Sequence, residues 1–300
     1  MGIETITSTS VKDLVPYPAN DANKYTRGKL TLVGGSKEYP GAACMASMAA
    51  LRSGVGYMEV ACEKESLPIV QGHDPNIVAR AWDGFSCQAS QLDAIKENHP
   101  KACLVGSGFS KPNAPQDALL QEVLLKSQYP VLVDGGAIES LATATGLEAA
   151  RKRQKDGFAL VLTPHYGEAM RLAAPIGAKP PAVEFKNPED DAAFASKLSE
   201  AYGAIVVLKG PMTLIVDFAS SECFLMDEGP ACLAKAGTGD VLAGMTAAFL
   251  AQGMNPIDAC KLSTLTHALS ATFAERDLTS VCVCATDVID HIPDAVGSYR

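Results

Sequence analysis

Short apolar runs constrain the fold of this chain more than any other feature of its sequence. Each run is bounded by turn residues: residues 30–33 precede Gly34 and Gly35, and residues 131–133 precede Asp134. Further runs span residues 104–105, 160–162 and 205–208. Short apolar runs between turn signals are typical of strands that are buried on both faces. They therefore predict the strands of a covered sheet.

Helical patterns separate these strands. The predicted helices span residues 42–53, 114–127, 188–202, 240–252 and 256–275. Strands that alternate with helices indicate a mostly parallel sheet with helices on both faces. Residues 214–216 and 223–226 lie close together in the chain and predict an antiparallel hairpin added at the edge of that sheet. We expect one α/β domain over residues 29–300, preceded by an N-terminal extension or helix in residues 1–28.

Composition excludes several classes of protein. Of the 300 residues, 47% are hydrophobic and 20% are charged, a balance typical of a globular chain and not of a disordered, collagen-like or coiled-coil one. The net charge of −9 disfavours general binding to nucleic acid or to an anionic membrane. The N-terminus shows no secretory signal, and the most apolar stretch, residues 241–251, is too short to cross a membrane. We therefore expect a cytoplasmic protein.

Cysteine and histidine residues carry little functional signal outside one motif. The nine cysteines include no Cys-x-x-Cys pair, so we expect reduced core cysteines and no zinc site. Four histidines match no motif and are expected to be structural: His73, His99, His267 and His291.

Two glycines flank Thr238 directly before an apolar helix, within residues 234–244. Glycine leaves backbone N–H groups open to a ligand, and the N-terminus of a helix attracts anions. The segment therefore predicts a hole for a developing phosphate anion, with Asp240 placed to accept a proton from a substrate hydroxyl. The alternative is that Thr238 or Asp240 only caps the helix. The glycine-rich pattern of a P-loop is missing.

The run Ala236-Gly237-Thr238-Gly239-Asp240, followed by an apolar helix, resembles the anion hole and catalytic aspartate of ribokinase-like enzymes. Within that superfamily the chain is similar to the NAD(P)H-hydrate dehydratases, which repair hydrated nicotinamide cofactors in a nucleotide-dependent reaction. The similar segments keep their order along the chain: residues 32–36, 40–43, 50–56, 106–108, 133–137, 162–168, 208–210 and 236–240.

The resemblance implies a ribokinase-like fold and a specific reaction. The hydroxyl of NADH hydrate or NADPH hydrate would be phosphorylated, and loss of phosphate would restore NADH or NADPH. ADP, giving AMP, is expected as donor ahead of ATP, together with Mg²⁺. The resemblance also implies a homo-oligomer, often a tetramer. We expect no fused epimerase domain, because the residues before residue 29 are too few to fold alone.

His165 is the most discriminating residue of the resemblance, because related small-molecule kinases carry Asn there. The resemblance implies that His165 contacts the hydrate together with Ala43, Gly108 and Asp240. It also implies that Glu168 helps to organise a hydrated metal ion near the phosphates, indirectly through water. The alternative is that His165 caps the following helix and that Glu168 complements the helix dipole.

The nucleotide side of the implied site follows an apolar strand. Its residues are Lys209, Gly210, Pro211, Met212 and Thr213, with Gly239. The implied anion hole comprises Ala236, Gly237, Thr238 and Gly239. A hairpin turn at residues 209–213 is compatible with that role, and backbone contacts there can dominate over the Lys209 ammonium.

Other functions remain open at this point. The nearest alternative is a ribokinase-like kinase of a small alcohol or vitamin precursor, which would share Asp240 and the anion hole. A non-catalytic nucleotide-binding protein on the same fold is a second alternative. A dinucleotide-dependent dehydrogenase is disfavoured, because Gly106-Ser107-Gly108 lacks the full glycine fingerprint. Residues 178–187 form a longer segment than the family usually has, and no role is predicted for it.

Overall fold

The computed structural model describes residues 2–87, 99–110 and 113–300, and within this part of the chain ten strands form one sheet. The strands are β1 (Glu4–Thr5), β2 (Lys29–Val33), β3 (Tyr57–Cys62), β4 (Ile77–Ala81), β5 (Lys101–Val105), β6 (Val131–Val133), β7 (Leu160–Leu162), β8 (Ile205–Leu208), β9 (Thr213–Asp217) and β10 (Glu222–Met226). Their order is β1-β10-β9-β8-β7-β6-β5-β2-β3-β4. In this order, every pair of adjacent strands from β8 through β7, β6, β5, β2 and β3 to β4 is parallel. This confirms the mostly parallel sheet.

The predicted hairpin is confirmed and is not the outermost element. β9 and β10 are antiparallel to each other, and β9 is also antiparallel to β8. The two-residue strand β1 lies outside the hairpin and pairs in parallel with β10, so that Glu4 lies opposite Phe224. Ile6 and Val11, which follow β1, are buried in the same apolar cluster as Leu30. The segment before residue 29 thus packs onto the sheet.

Helices cover both faces of the sheet. They are α1 (Ser8–Val11), α2 (Pro40–Arg52), α3 (Leu67–His73), α4 (Ala114–Lys126), α5 (Gly136–Leu141), α6 (Ala144–Lys155), α7 (Tyr166–Ala173), α8 (Pro188–Tyr202), α9 (Thr238–Ala251), α10 (Pro256–Leu278), α11 (Ala285–Asp290) and α12 (Ile292–Gly297). The side chains of Asn113, Asn187 and Asn255 cap α4, α8 and α10, each beside a proline in the first turn. This combination is favoured at helix starts and explains why these helices begin where they do.

The core divides between the two faces because alternate residues of a strand point in opposite directions. Val33 and Val105 belong to the apolar cluster that includes α4 to α8, whereas Leu32 and Leu104 belong to the cluster that includes α2, α9 and α10. All four side chains are fully buried. Each such side chain contributes about 1.5–3 kcal/mol to folding.

α9 lies deepest among the helices that position the site. Most of its 14 residues are buried, as expected for a helix that is apolar on all sides. A Cβ on Gly244 would lie 2.1 Å from the backbone oxygen of Ala46, so α9 and α2 pack backbone to backbone. The helix begins two residues before its predicted start, which places Asp240 in its first turn.

Cysteines are reduced, as predicted, and most are in the core. Cys282 and Cys284 are the exceptions, because they are exposed. Among the described residues, no helix combines the length and the apolar character that a membrane span requires.

Candidate active site

A cavity of about 660 Å³ lies at the carboxyl ends of β7 and β8 and faces the N-terminus of α9. Half of the predicted site residues line it: His165, Lys209, Gly210, Pro211, Thr213, Thr238 and Gly239. The other half do not: Ala43, Gly108, Glu168, Met212, Ala236, Gly237 and Asp240. The carboxyl ends of parallel strands are where ligands bind in such sheets.

The parallel pairing of β7 and β8 brings two distant motifs together. Just beyond both strands, His165 and Lys209 form a bridge in parallel orientation. The Lys209 N–H donates to the carbonyl of Pro164 at 2.8 Å. The predicted hydrate-binding histidine and the predicted nucleotide segment are therefore adjacent at the cavity.

The N-terminus of α9 has the geometry of an anion site. Gly237 caps the helix with a φ of 95°, where no side chain is tolerated easily, and a Cβ there would lie 2.5 Å from Met45 Sδ. The Thr238 hydroxyl donates to the carbonyls of Leu233 and Lys235, both at 2.8 Å. The interpretation of Thr238 or Asp240 as a mere side-chain cap is therefore wrong, because the capping residue is Gly237 and no side chain bonds to the helix start.

Two backbone N–H groups at this helix start are available to a ligand. Within the described residues, the N–H groups of Gly239 and Asp240 donate to no backbone carbonyl. The free N–H groups and the helix dipole both favour an anion at this point. A Cβ on Gly239 would lie 3.4 Å from Lys209 Nζ, so a positive charge lies directly beside them.

Lys209 is held in a cluster of carboxylates. Its Nζ lies 2.8 Å from Asp134 Oδ1 and 4.0 Å from Glu168 Oε2. The Thr163 hydroxyl donates to the same Asp134 oxygen at 2.7 Å. Burial lowers the pKa of Lys209, but Asp134 and Glu168 outweigh this and raise it. The ammonium therefore stays charged and engaged with Asp134 in this structure.

The two other carboxyls of the cluster titrate close to neutrality. Burial raises the pKa of Asp240 to about 7, helped by Asp134 and opposed by Lys209 and Ser107. Burial also raises the pKa of Glu168 to about 7, where Lys209 opposes the shift and Asp134 adds to it. A base performs best when its pKa lies near the working pH. Asp240 thus has the proton affinity that its predicted role requires.

His165 caps α7 and also lines the cavity. Its ring Nδ1 accepts from the backbone N–H of Glu168 at 3.3 Å, and the backbone N–H of His165 donates to Glu168 Oε2 at 2.8 Å. Burial, with Lys209 and Arg171, lowers the pKa of the ring, so that the imidazole is neutral and Nδ1 can accept. A Cβ on Gly167 would lie 2.9 Å from the ring. His165 therefore caps α7, as the alternative predicted. It also lines the cavity, so the capping role does not exclude contact with a ligand.

Ala43 and Gly108 lie together at the start of α2. Gly108 has a φ of 75°, and a Cβ there would lie 2.4 Å from the Tyr39 carbonyl. Ala43 is fully buried and lies against Gly35, where a Cβ would approach it to 2.8 Å. Their contact with the hydrate stays a prediction.

Three residues that the sequence did not single out for a role belong to this region. Asp134 is buried in the carboxylate cluster, and Thr264 and His267 of α10 line the cavity. Asp134 had a signal, since it follows a strand at the edge where ligands bind. Thr264 and His267 had none, because they lie within a long apolar helix.

Comparison with known proteins places this geometry in a family. A sequence profile described as "NAD(P)H-hydrate dehydratase" matches residues 30–294. The chain belongs to that family. A solved relative, the "ADP/ATP-dependent NAD(P)H-hydrate dehydratase from Bacillus subtilis co-crystallized with ATP/Mg2+", superposes with a TM-score of 0.82 at 25% identity and full coverage of both chains. The ribokinase-like fold is thereby confirmed.

Curated relatives in the family are of two lengths. The "ADP-dependent (S)-NAD(P)H-hydrate dehydratase" of Streptococcus pneumoniae is 29% identical over 97% of this chain and 94% of its own length. The "Bifunctional NAD(P)H-hydrate repair enzyme Nnr" of Dictyoglomus turgidum is also 29% identical, but the match covers 54% of it. The chain spans about half the length of the bifunctional relatives and nearly all of the others. A hydroxyethylthiazole kinase from Pyrococcus horikoshii, at 14% identity and a TM-score of 0.62, shares the fold alone.

Proposed function

We propose that this dehydratase-family chain returns (S)-NAD(P)H hydrate to NAD(P)H in a nucleotide-dependent reaction. One observation carries the proposal: Asp240, with a pKa raised to about 7, lies in the first turn of α9 beside free N–H groups. A base next to an anion site is what transfer of a phosphoryl group to an alcohol requires.

The reaction has two steps. The Asp240 carboxylate takes the proton of the hydrate hydroxyl as that oxygen attacks the terminal phosphorus of the nucleotide. The bond from this phosphorus to the bridging oxygen breaks, so that AMP leaves when ADP is the donor, and the Gly239 and Asp240 N–H groups stabilise the charge on the moving phosphoryl group. The phosphate then leaves with the electron pair of the C–O bond, driven by the ring nitrogen lone pair. Loss of a proton from the neighbouring carbon restores the reduced nicotinamide. Phosphate is a much better leaving group than hydroxide, which is why a nucleotide is consumed.

Mg²⁺ fits this site through water. Among the described residues, no group of three or more His, Cys, Asp or Glu side chains could hold a metal ion. Asp134 and Glu168 already accept from Lys209 and from the His165 backbone. Mg²⁺ commonly keeps several waters in nucleotide sites and would neutralise phosphate charge there. Glu168 is the residue that would hold such a hydrated ion.

The finer assignments are part of the proposal. The nucleotide would follow residues 209–213 to Gly239, with ADP ahead of ATP, and the hydrate would contact Ala43, Gly108, His165 and Asp240. The names of the relatives support the choice of ligands, and the presence of His165, Lys209 and Gly239 at one cavity supports a shared site for the two ligands. A homo-oligomer is proposed on the family resemblance alone, and a cytoplasmic location stays an expectation from the sequence.

The test is the return of the reduced-nicotinamide absorbance from purified NADH hydrate or NADPH hydrate. The protein is supplied with ADP, with ATP or with no nucleotide. We expect recovery with ADP, slower recovery with ATP and none without nucleotide, with phosphate released in equal amount. Accumulation of a stable phosphorylated product would instead identify a kinase.

A further inference from the structure

Two buried polar side chains on α10 lie at the same cavity. Thr264 and His267 are 1% and 7% exposed, and both line it. They lie three residues apart and so share one face of the helix. Thr264 Oγ1 and His267 Nε2 are buried and have no hydrogen-bond partner within the described residues.

Much of the cavity wall is apolar, and this makes two polar atoms without partners unusual there. Met226, Leu233 and Leu242 line the same cavity. A buried polar atom without a partner costs about 1–3 kcal/mol, and buried polar groups in folded proteins nearly always have partners. Two such atoms at one cavity, on one helix face, indicate a ligand that supplies the missing hydrogen bonds.

The protonation of His267 limits the chemistry of that ligand. Burial lowers the pKa of His267 to about 4, and Lys209 lowers it further, while a hydrogen bond with the Thr238 backbone raises it. The ring is therefore neutral near pH 7, with one nitrogen as donor and the other as acceptor. A ring N–H that donates to the Thr238 backbone leaves Nε2 as an acceptor. An acceptor pairs with a hydroxyl or an amino group and repels a phosphate oxygen.

We propose that Thr264 and His267 recognise the nucleoside part of the bound nucleotide by accepting a hydrogen bond from a ribose hydroxyl or from the exocyclic amino group of adenine. The inference rests on the proposed function, which brings the nucleotide into this cavity. His267 lies beside the backbone of Thr238, next to the anion site, so the pair meets the portion of the nucleotide that follows the phosphates. The apolar wall suits the flat face of a base.

Binding of ADP to three variants tests the proposal by isothermal titration. Thr264→Val and His267→Phe are expected to weaken ADP binding about 3- to 10-fold. Thr264→Val removes an unpaired polar atom, so the nucleotide-free protein should melt at an unchanged or higher temperature. Thr266→Val is the matched control, because this buried hydroxyl already bonds the Leu262 carbonyl and the Tyr299 hydroxyl. It should lower the melting temperature and leave ADP affinity unchanged.

Analogues distinguish the two donors. Inosine diphosphate lacks the amino group, and 2′-deoxy-ADP and 3′-deoxy-ADP each lack one hydroxyl. We expect the wild type to prefer ADP over one of these analogues, and both variants to lose that one preference. The proposal for Thr264 and His267 would be refuted if the variants bound ADP as tightly as the wild type. It would also be refuted if they lost affinity for every nucleotide by the same factor. Should His267→Phe not fold, Thr264→Val decides.

The two proposals fail separately. If ADP binding depends on Thr264 and His267 but the wild type does not dehydrate the hydrate, the proposed function is refuted and the role of the two residues is not. Dehydration with analogue preferences unchanged in both variants would refute the pair alone. A wild type that binds neither ADP nor ATP would refute both.

Discussion

Two buried ion clusters on the same sheet differ in their balance of charge. On β2, β3 and β4, the single carboxylate of Glu59 meets Lys29 Nζ at 2.7 Å and Arg80 Nε at 2.6 Å. At the cavity, by contrast, the Lys209 ammonium is shared between Asp134 and Glu168, and it also acts on the nearby Asp240. The first cluster has an excess of cations, and the second has an excess of carboxylates.

The difference separates a structural role from a functional one. A buried charge is tolerated when it is paired, and unpaired negative charge is expensive. In the Lys209 cluster, protonation reduces the negative charge, since the pKa values of Asp240 and Glu168 are both raised to about 7. Both carboxyls interact with Lys209, which lines the cavity, and strongly raised carboxyl pKa values beside a cavity are typical of active sites. The Glu59 cluster joins neighbouring strands, because Glu59 of β3 lies between Lys29 of β2 and Arg80 of β4.

The largest expected effect is on turnover. Asp240→Asn should lower kcat at least ~100-fold, because an amide cannot take the proton of the hydrate hydroxyl. Initial rates with NADH hydrate and ADP measure this effect, and a thermal melt confirms that the fold is kept. Turnover close to that of the wild type would remove Asp240 from the mechanism.

Glu59→Gln is the corresponding change in the Glu59 cluster. It leaves buried Lys29 without its carboxylate partner, so the free energy of unfolding should fall by about 3 kcal/mol, with kcat unchanged. Urea denaturation measures the first quantity and the hydrate assay the second. A loss of kcat without a loss of stability would contradict the division between the two clusters.

The pH dependence of stability offers a smaller effect. The Asp240 pKa rises from an ordinary 3.8 to about 7 on folding, so between these values the folded state binds more protons than the unfolded state. Stability should therefore fall as pH rises from about 4 to about 7. Asp240→Asn should flatten this slope and should be more stable than the wild type above pH 7, because it carries no buried charge there. Glu59→Gln should keep the slope, and equal slopes in wild type and Asp240→Asn would refute the raised pKa.

The smallest effects concern the fall of kcat/KM at low pH, the acid limb, which reports the pKa of Asp240 as the base. Two substitutions should shift this limb in opposite directions. Asp134 raises the pKa of Asp240, and Ser107 lowers it. Asp134→Asn should therefore move the limb to lower pH, and Ser107→Ala should move it to higher pH. A pH series of kcat/KM measures both. Shifts in the same direction would show that these neighbours do not act on Asp240 through charge and hydrogen bonding.

Much of the fold and part of the site could be predicted from local patterns. Apolar runs that end in turn residues identified the strands, because burial on both faces requires continuous apolar residues. Gly237 and Gly239 before an apolar helix predicted an anion site at the start of α9, because a helix start with small residues exposes its N–H groups. The edge position of β1 was missed, since a two-residue strand has no periodicity to detect.

Contacts between distant residues could not be predicted. Asp134 and Lys209 are 75 residues apart and meet only because β6, β7 and β8 are successive neighbours in the sheet. His267 was interpreted as structural, because a histidine within an apolar helix carries no local sign of the cavity beside it. In the structure it lines that cavity.

By itself, the sequence determined the alternation of strands and helices, the glycines at the start of α9 and the presence of an aspartate in its first turn. Only the tertiary structure decided which carboxylates share Lys209, that Asp240 titrates near neutrality and that α10 brings two unpaired polar atoms to the cavity. The physical reason is that backbone preferences and hydrophobic periodicity act between near neighbours in the chain. Desolvation and Coulomb forces depend instead on burial and on distances that exist only once the chain has folded.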